Sequence, residues 1–168
     1  MACVESRERR LVLLRHAKSD WSTGHPDEQR PLAARGRRDA PAAGRWLREH
    51  AGPIDLVVCS TATRARQTWD LASSELDRPP PVKHDERVYG ASAAELLRLV
   101  QNLPDDLHSV VIVGHNPGME NLVSLLSGED HTMSTSSIAV LTWHGTWADI
   151  GPGAARLADE ATPRGAKA

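Results

Sequence analysis

Three short stretches of the chain are apolar with no polar alternation: residues 11–14, 56–59 and 110–113. A strand with one face in water alternates apolar and polar side chains, whereas a strand covered on both faces does not. These stretches are therefore predicted as buried strands of the kind found in parallel sheets. Residues 138–143 read as a further strand, and Val82, His84, Glu86 and Val88 alternate like a half-exposed extended segment. Between the runs the apolar spacing changes to three and four. Ala40, Ala43, Trp46 and Leu47 form one such set, and Ala65, Trp69 and Ala72 a second. Leu96, Leu97, Val100 and Leu103 form a third, and Leu122, Val123, Leu125 and Leu126 a fourth. Each predicts a helix with one apolar face. Asn116 is placed to cap the last helix and Pro117 to occupy its first turn, where a missing N–H does no harm. Alternation of strand and helix predicts an α/β fold, a three-layer sandwich around a mainly parallel central sheet.

With 168 residues, 40% of them apolar and 25% charged, the chain has the size and composition of one globular domain. The pattern assigns that domain to residues 11–150. It leaves a polar leader, 1–10, and a Gly/Pro/Ala-rich tail, 151–168, which is expected to be disordered. The apolar runs fall far short of the roughly 18 residues that cross a bilayer, and the leader lacks the apolar stretch of a signal peptide, so a cytoplasmic location is expected. Cys3 and Cys59 make a poor disulfide framework and are read as reduced thiols. Net charge is −2, yet residues 1–50 hold 11 Lys/Arg against 7 Asp/Glu. The cations are mainly Arg, which suits bidentate phosphate recognition and equally suits compositional bias. No nucleic-acid or membrane partner is expected, and the chain is compatible with a monomer.

The residues just after each buried run carry the candidate chemistry, because ligands of open α/β sheets collect at the carboxyl ends of strands. The first run leads into Arg15 and His16, the second into Ser60-Thr61-Ala62-Thr63-Arg64-Ala65-Arg66, and the third into Gly114-His115-Asn116-Pro117-Gly118. If the strands are parallel these tips meet, and histidines, arginines, hydroxyls and a helix N-terminus surround one point that should bind phosphate. Taken singly, each residue is more readily a structural histidine or a solvated surface charge; their recurrence after three runs argues for one shared site. No Gly-x4-Gly-Lys-Ser/Thr loop and no Gly-x-Ser-x-Gly elbow is present. A cysteine phosphatase needs five residues between its nucleophile and its Arg, whereas Cys59 is followed by four before Arg64 and six before Arg66. The 8 histidines include no pair at metal-ligand spacing, so neither a metal nor a cofactor is expected.

These motifs resemble those of the histidine phosphatase superfamily (phosphoglycerate mutase-like), specifically its small SixA-type phosphohistidine phosphatases. Residues 11–17, ending Arg15-His16-Ala17, look like the nucleophile motif. Arg30-Pro31-Leu32 with Arg35-Gly36 resembles the lead into the first helix; residues 60–68 are similar to the second motif and residues 114–118 to the last. The resemblance implies that His16 attacks phosphorus, while Arg15, Arg64 and His115 hold the phosphoryl oxygens. It places a proton donor in the loop Asp85-Glu86-Arg87-Val88-Tyr89-Gly90, with Glu86 the first choice and Asp20 and Asp27 the alternatives. The loop 18–31, with Ser19, Asp20, Trp21 and Arg30, is expected to form one wall of the mouth, although Trp21 reads equally as a packing residue.

The expected activity is metal-independent phosphatase action on protein phosphohistidine or small phosphate esters, through a phosphohistidine intermediate. A mutase-like phosphotransferase would need a water-excluding lid, for which there is no long insertion. A silent phosphate-binding module would have no need of His16 together with both arginines and His115.

Overall fold

The computed structural model describes residues 8–166. Six strands form one sheet: β1 (Glu8–Arg15), β2 (Leu56–Cys59), β3 (Val82–His84), β4 (Ser109–Gly114), β5 (Ile138–His144) and β6 (Arg156–Ala161). Their spatial order is β3-β2-β4-β1-β5-β6. The first four in that order are mutually parallel, β5 runs antiparallel to β1, and β6 antiparallel to β5. Four helices cover the faces: α1 (Ala34–His50), α2 (Thr63–Ser73), α3 (Ala93–Gln101) and α4 (Gly118–Ser127). The expected three-layer sandwich is thus the observed architecture.

The period of two along each strand explains why the central runs lack polar residues. Leu11, Leu13, Val110 and Ile112 pack with Leu96, Val100, Met119 and Leu122 of α3 and α4. Val12, Leu14, Val111 and Val113 pack on the other face with Ala43, Leu47, Ala65 and Trp69 of α1 and α2. Each such side chain, fully buried, contributes about 1.5–3 kcal/mol relative to exposure. Gly44 lets α1 meet α2 closely, since a Cβ there would overlap the Ala72 carbonyl.

Four sequence expectations change. The polar leader ends sooner than residue 10, because Glu8, Arg9 and Arg10 already belong to β1 and Arg9 is fully buried; Cys3 lies outside the described residues. The tail is partly ordered: β6 pairs along β5, and beyond it Arg164 Nη1 and the Gly165 N–H donate, each at 2.9 Å, to the buried carboxylate of Asp39 on α1. Of the alternating segment, only Val82–His84 is a strand, and Glu86–Val88 forms a 3-10 turn. Asn116 sits one position before the cap, which is Pro117, but its Oδ1 still accepts from the Glu120 N–H at 3.3 Å.

One consequence of the topology governs the rest. The carboxyl ends of β1, β2 and β4 share an edge with the amino end of the antiparallel β5. Residues 132–137, which lead into β5, therefore arrive beside the three strand tips.

Candidate active site

The backbone of His16 is fixed from three directions. Its N–H donates to Gly114 O of β4 at 3.0 Å, its carbonyl accepts from the Ser136 N–H at 3.0 Å, and the next N–H, of Ala17, donates to Thr68 Oγ1 of α2 at 2.9 Å. Ser136 adopts a left-handed φ of 64° to do this, a conformation disfavoured for a residue with a Cβ. The ring is oriented as well. Nδ1 lies 2.7 Å from Ala17 O, and a carbonyl only accepts, so Nδ1 carries the proton. In the neutral ring the lone pair is consequently on Nε2. Burial, reinforced by the nearby Arg64 and Arg15 cations, lowers the His16 pKa from 6.5 to about 3, which keeps that lone pair free at neutral pH.

His115 stands beside it, with ring centroids 5.1 Å apart. Its Nε2 is 2.7 Å from the hydroxyl of buried Ser60, at the tip of β2. Burial, followed by the charge of Arg64, lowers its pKa to about 4. Arg15, His16, Arg64 and His115 line one cleft of about 260 Å³, shared with Lys18, Ser19, Trp21, Asp27, Arg30, Asn116 and Thr135. The four residues singled out after the strand tips are therefore brought together. Polar atoms on three of them, Arg15 Nε, Arg64 Nε and His115 Nδ1, are buried without a hydrogen-bond partner. Such groups normally find one. A site lined by three guanidiniums and two neutral imidazoles, with hydrogen-bonding capacity unspent, has the chemistry to hold an anion.

The three candidate acids separate. Glu86 is exposed and is absent from the cleft lining. Asp20 is also outside the lining, its carboxylate accepting from Ser22 N–H at 2.8 Å and Ser22 Oγ at 2.6 Å. Asp27 is in the cleft. Its Oδ2 accepts from Tyr89 OH at 2.5 Å and from Arg64 Nη2 at 3.1 Å, and its Oδ1 from Arg30 Nε at 3.2 Å. The Tyr89 hydrogen bond, with those of the arginines, holds its pKa down to about 2. Asp27 is thus an ionised carboxylate at neutral pH, not a stored proton.

The loop 18–31 forms the expected wall through Lys18, Ser19, Trp21, Asp27 and Arg30. Trp21 is not a packing residue, being 73% exposed. Sequence reasoning missed Tyr89 as the partner of Asp27, although this single tyrosine stood in a loop already under suspicion. It also missed the segment leading into β5, which places Thr135 in the cleft lining. There the Met133 carbonyl accepts from Arg15 Nη1 at 2.9 Å and from Asn116 Nδ2 at 2.7 Å, a backbone role that leaves no signature in residue type. Cys59, set aside as core, is buried, and burial pushes its thiol up to about 12, which suits no nucleophile.

Comparison with known proteins agrees with this geometry. Residues 11–91 match the profile of the histidine phosphatase superfamily (branch 1). An uncharacterised protein of Mycobacterium tuberculosis is 41% identical over 162 residues, covering 90% of this chain and all of that one. A solved structure from Nakamurella multipartitia, assigned as phosphohistidine phosphatase SixA, superposes with a TM-score of 0.82 at 33% identity, covering 93% of this chain and 96% of the other. A second structure so assigned, from Agrobacterium tumefaciens, gives a TM-score of 0.80 at 29% identity over 92% and 98% of the respective chains. With its three motifs gathered around one arginine-rich cleft, the chain belongs to the histidine phosphatase superfamily and is of the SixA type.

Proposed function

We propose that the protein is a metal-independent phosphatase that acts through a phosphohistidine on His16, with protein phosphohistidine as its preferred substrate class and small phosphate esters as secondary ones. The lone pair on His16 Nε2 attacks phosphorus as the bond to the leaving group breaks and that group departs with the bonding electrons. Water then attacks the phosphorus of phospho-His16, the P–N bond breaks, Nε2 recovers its lone pair, and inorganic phosphate leaves. Arg15, Arg64 and His115 face the phosphoryl oxygens in both steps. Fixed cations and N–H donors stabilise the charge spread over those oxygens in the transition state, usually the largest contribution in phosphoryl transfer.

The observation that carries the substrate preference is the state of Asp27. Among the described residues, the one carboxyl group lining the cleft is that of Asp27, ionised with its pKa lowered to about 2. An alkoxide leaves poorly unless a general acid protonates it, whereas a protonated imidazole or a phenolate departs without one. A cleft rich in cations and poor in acid therefore suits phosphoramidates and aryl esters. The assignment of two structural relatives as phosphohistidine phosphatases supports the same class.

The test is a turnover panel of phosphohistidine peptide, phenyl phosphate and glycerol 3-phosphate in excess chelator, followed by acid and alkaline quench. The expected result is hydrolysis in the order given, undiminished by chelator, with an alkali-stable, acid-labile phosphoryl group on the protein. Phosphate trapped on Cys59 or Ser60, or loss of activity on chelation, overturns the mechanism.

A further inference from the structure

Trp21 is one of two large hydrophobic residues that stand exposed among those described, and it is by far the more exposed, at 73% against 37% for Val82. An indole in water is an unfavourable use of a large apolar surface, and this one lines the cleft that holds His16. It is also firmly backed. The Arg30 guanidinium carbon sits 3.4 Å from the centre of the ring. Arg30 is itself buried, and its head is tied by Nη1 to Ser19 Oγ at 2.8 Å and by Nε to Asp27 Oδ1 at 3.2 Å. Guanidinium stacking thus occupies one face of the indole and fixes its plane, while the high exposure leaves the opposite face open.

Resting on the phosphatase reading above, we propose that Trp21, braced by Arg30, is a specificity-determining platform against which the planar ring of the leaving group stacks while its phosphoryl group lies at His16. The ligand class is a phosphoryl group carried on a flat ring: N-phosphorylated imidazole above all, with phenyl phosphate as its synthetic counterpart. Two separate features converge on this class. Among the described residues the cleft offers no protonated carboxylic acid, since Asp27 is tied to Tyr89, Arg64 and Arg30, and this favours leaving groups able to depart unassisted, of which delocalised rings are examples. The mouth presents an open π-face, which rewards flat rings over acyl or alkyl chains of similar leaving ability.

The experiment separates leaving ability from ring stacking by using acetyl phosphate, a ready leaving group without a ring, beside phenyl phosphate and phosphoimidazole. Trp21→Ala is expected to lower kcat/KM for the two ring substrates by about fivefold more than for acetyl phosphate, the size of one aromatic stacking contact. Trp21→Phe should restore most of that difference. Trp21→Leu, apolar but without a π-face, should not. Since the indole is exposed, all three variants should unfold at the wild-type temperature. Equal losses on all three substrates, or rescue by Leu as full as by Phe, overturn the platform while leaving the phosphatase reading intact. Failure of the wild-type protein to hydrolyse any of the three overturns the reaction itself and the platform with it.

Discussion

The two ends of β1 use the same residue type for opposite purposes. At the amino end, Arg9 is fully buried and its guanidinium is occupied by backbone: Nε donates to Gly145 O at 2.9 Å, and Nη1 to Asp105 O and Leu107 O at 2.6 Å each. At the carboxyl end, Arg15 gives Nη1 to the Met133 carbonyl, and its buried Nε has no partner. Arg64, beside it, gives Nη1 to Asp27 O at 2.6 Å and Nη2 to Asp27 Oδ2, and its Nε too is unpaired. Arg9 also keeps one buried nitrogen, Nη2, without a hydrogen-bond partner, 3.9 Å from Asp105 Oδ1, but its three bonds to carbonyls clamp loops together away from the cleft. Arg15 and Arg64 line the cleft, where an unpaired donor is a capacity that a ligand can use, at some cost to stability. The difference between structure and function here lies in where the donors go, not in the residue.

The sharpest break in this comparison is at the residue next to Arg15. His16→Ala should remove turnover by at least roughly 10⁴-fold, because it deletes the imidazole whose protonated Nδ1, held by Ala17 O, leaves Nε2 free to attack, with circular dichroism and the unfolding midpoint near wild type. Residual phosphorylation of that variant would move the nucleophile elsewhere. Arg64→Ala should lower kcat by about 10²–10³-fold, the usual effect of losing a donor to a transition-state oxyanion, with little loss of stability. Arg9→Met should do the reverse. It removes three part-buried hydrogen bonds to the carbonyls of Gly145, Asp105 and Leu107 and should cost about 3 kcal/mol of unfolding free energy by denaturant titration, with kcat unchanged in the folded fraction. If Arg9→Met inactivated the folded enzyme, or Arg64→Ala mainly unfolded it, the division between the two ends would fail.

Acid should expose the same stored cost more gently. His16 and His115 are held neutral, with pKa values of about 3 and 4, while an unfolded histidine titrates near 6.5. Between those values the unfolded chain binds more protons than the native one, so stability falls as pH drops through 6.5 and levels off once pH passes below the folded values. The thermal midpoint should therefore decline from pH 7 to pH 4, and His16→Gln should flatten part of that decline. In the native protein the ring-proton shifts of both histidines should stay constant from pH 8 to pH 5. A midpoint near 6.5 for either would show that its ring is not held neutral.

Most of the fold and four of the site residues were legible because burial writes itself into residue type. β1, β2 and β4 are covered on both faces, so their polar residues gather towards the strand ends, and it is the carboxyl ends that lead into the cleft. Legibility failed where the chain uses its backbone or a single edge. β6, Arg-Leu-Ala-Asp-Glu-Ala, is largely exposed and needs only one neighbour for its ladder, so nothing apolar announced it. Arg9 looked like leader because its partners are carbonyls some 100 residues or more distant in sequence. Thr135 reaches the cleft because β5 is antiparallel, a direction that hydrophobic pattern does not encode.

The smallest expected effect concerns the proton donor, where the family resemblance and the geometry part. Glu86 occupies the position that the resemblance suggests, but it is exposed and does not line the cleft. Glu86→Gln should therefore change kcat/KM by less than about twofold on phenyl phosphate and on glycerol 3-phosphate alike, since a group that never reaches the leaving oxygen cannot distinguish strong from weak leaving groups. Asp27→Asn supplies the contrast. It removes a carboxylate that accepts from Tyr89, Arg64 and Arg30, so it should alter KM through the posture of those arginines, with both substrates affected in the same ratio. A loss tenfold greater on glycerol 3-phosphate than on phenyl phosphate in either variant would identify that residue as the acid. For Glu86, such a result would require the turn carrying it to fold over the mouth when substrate binds.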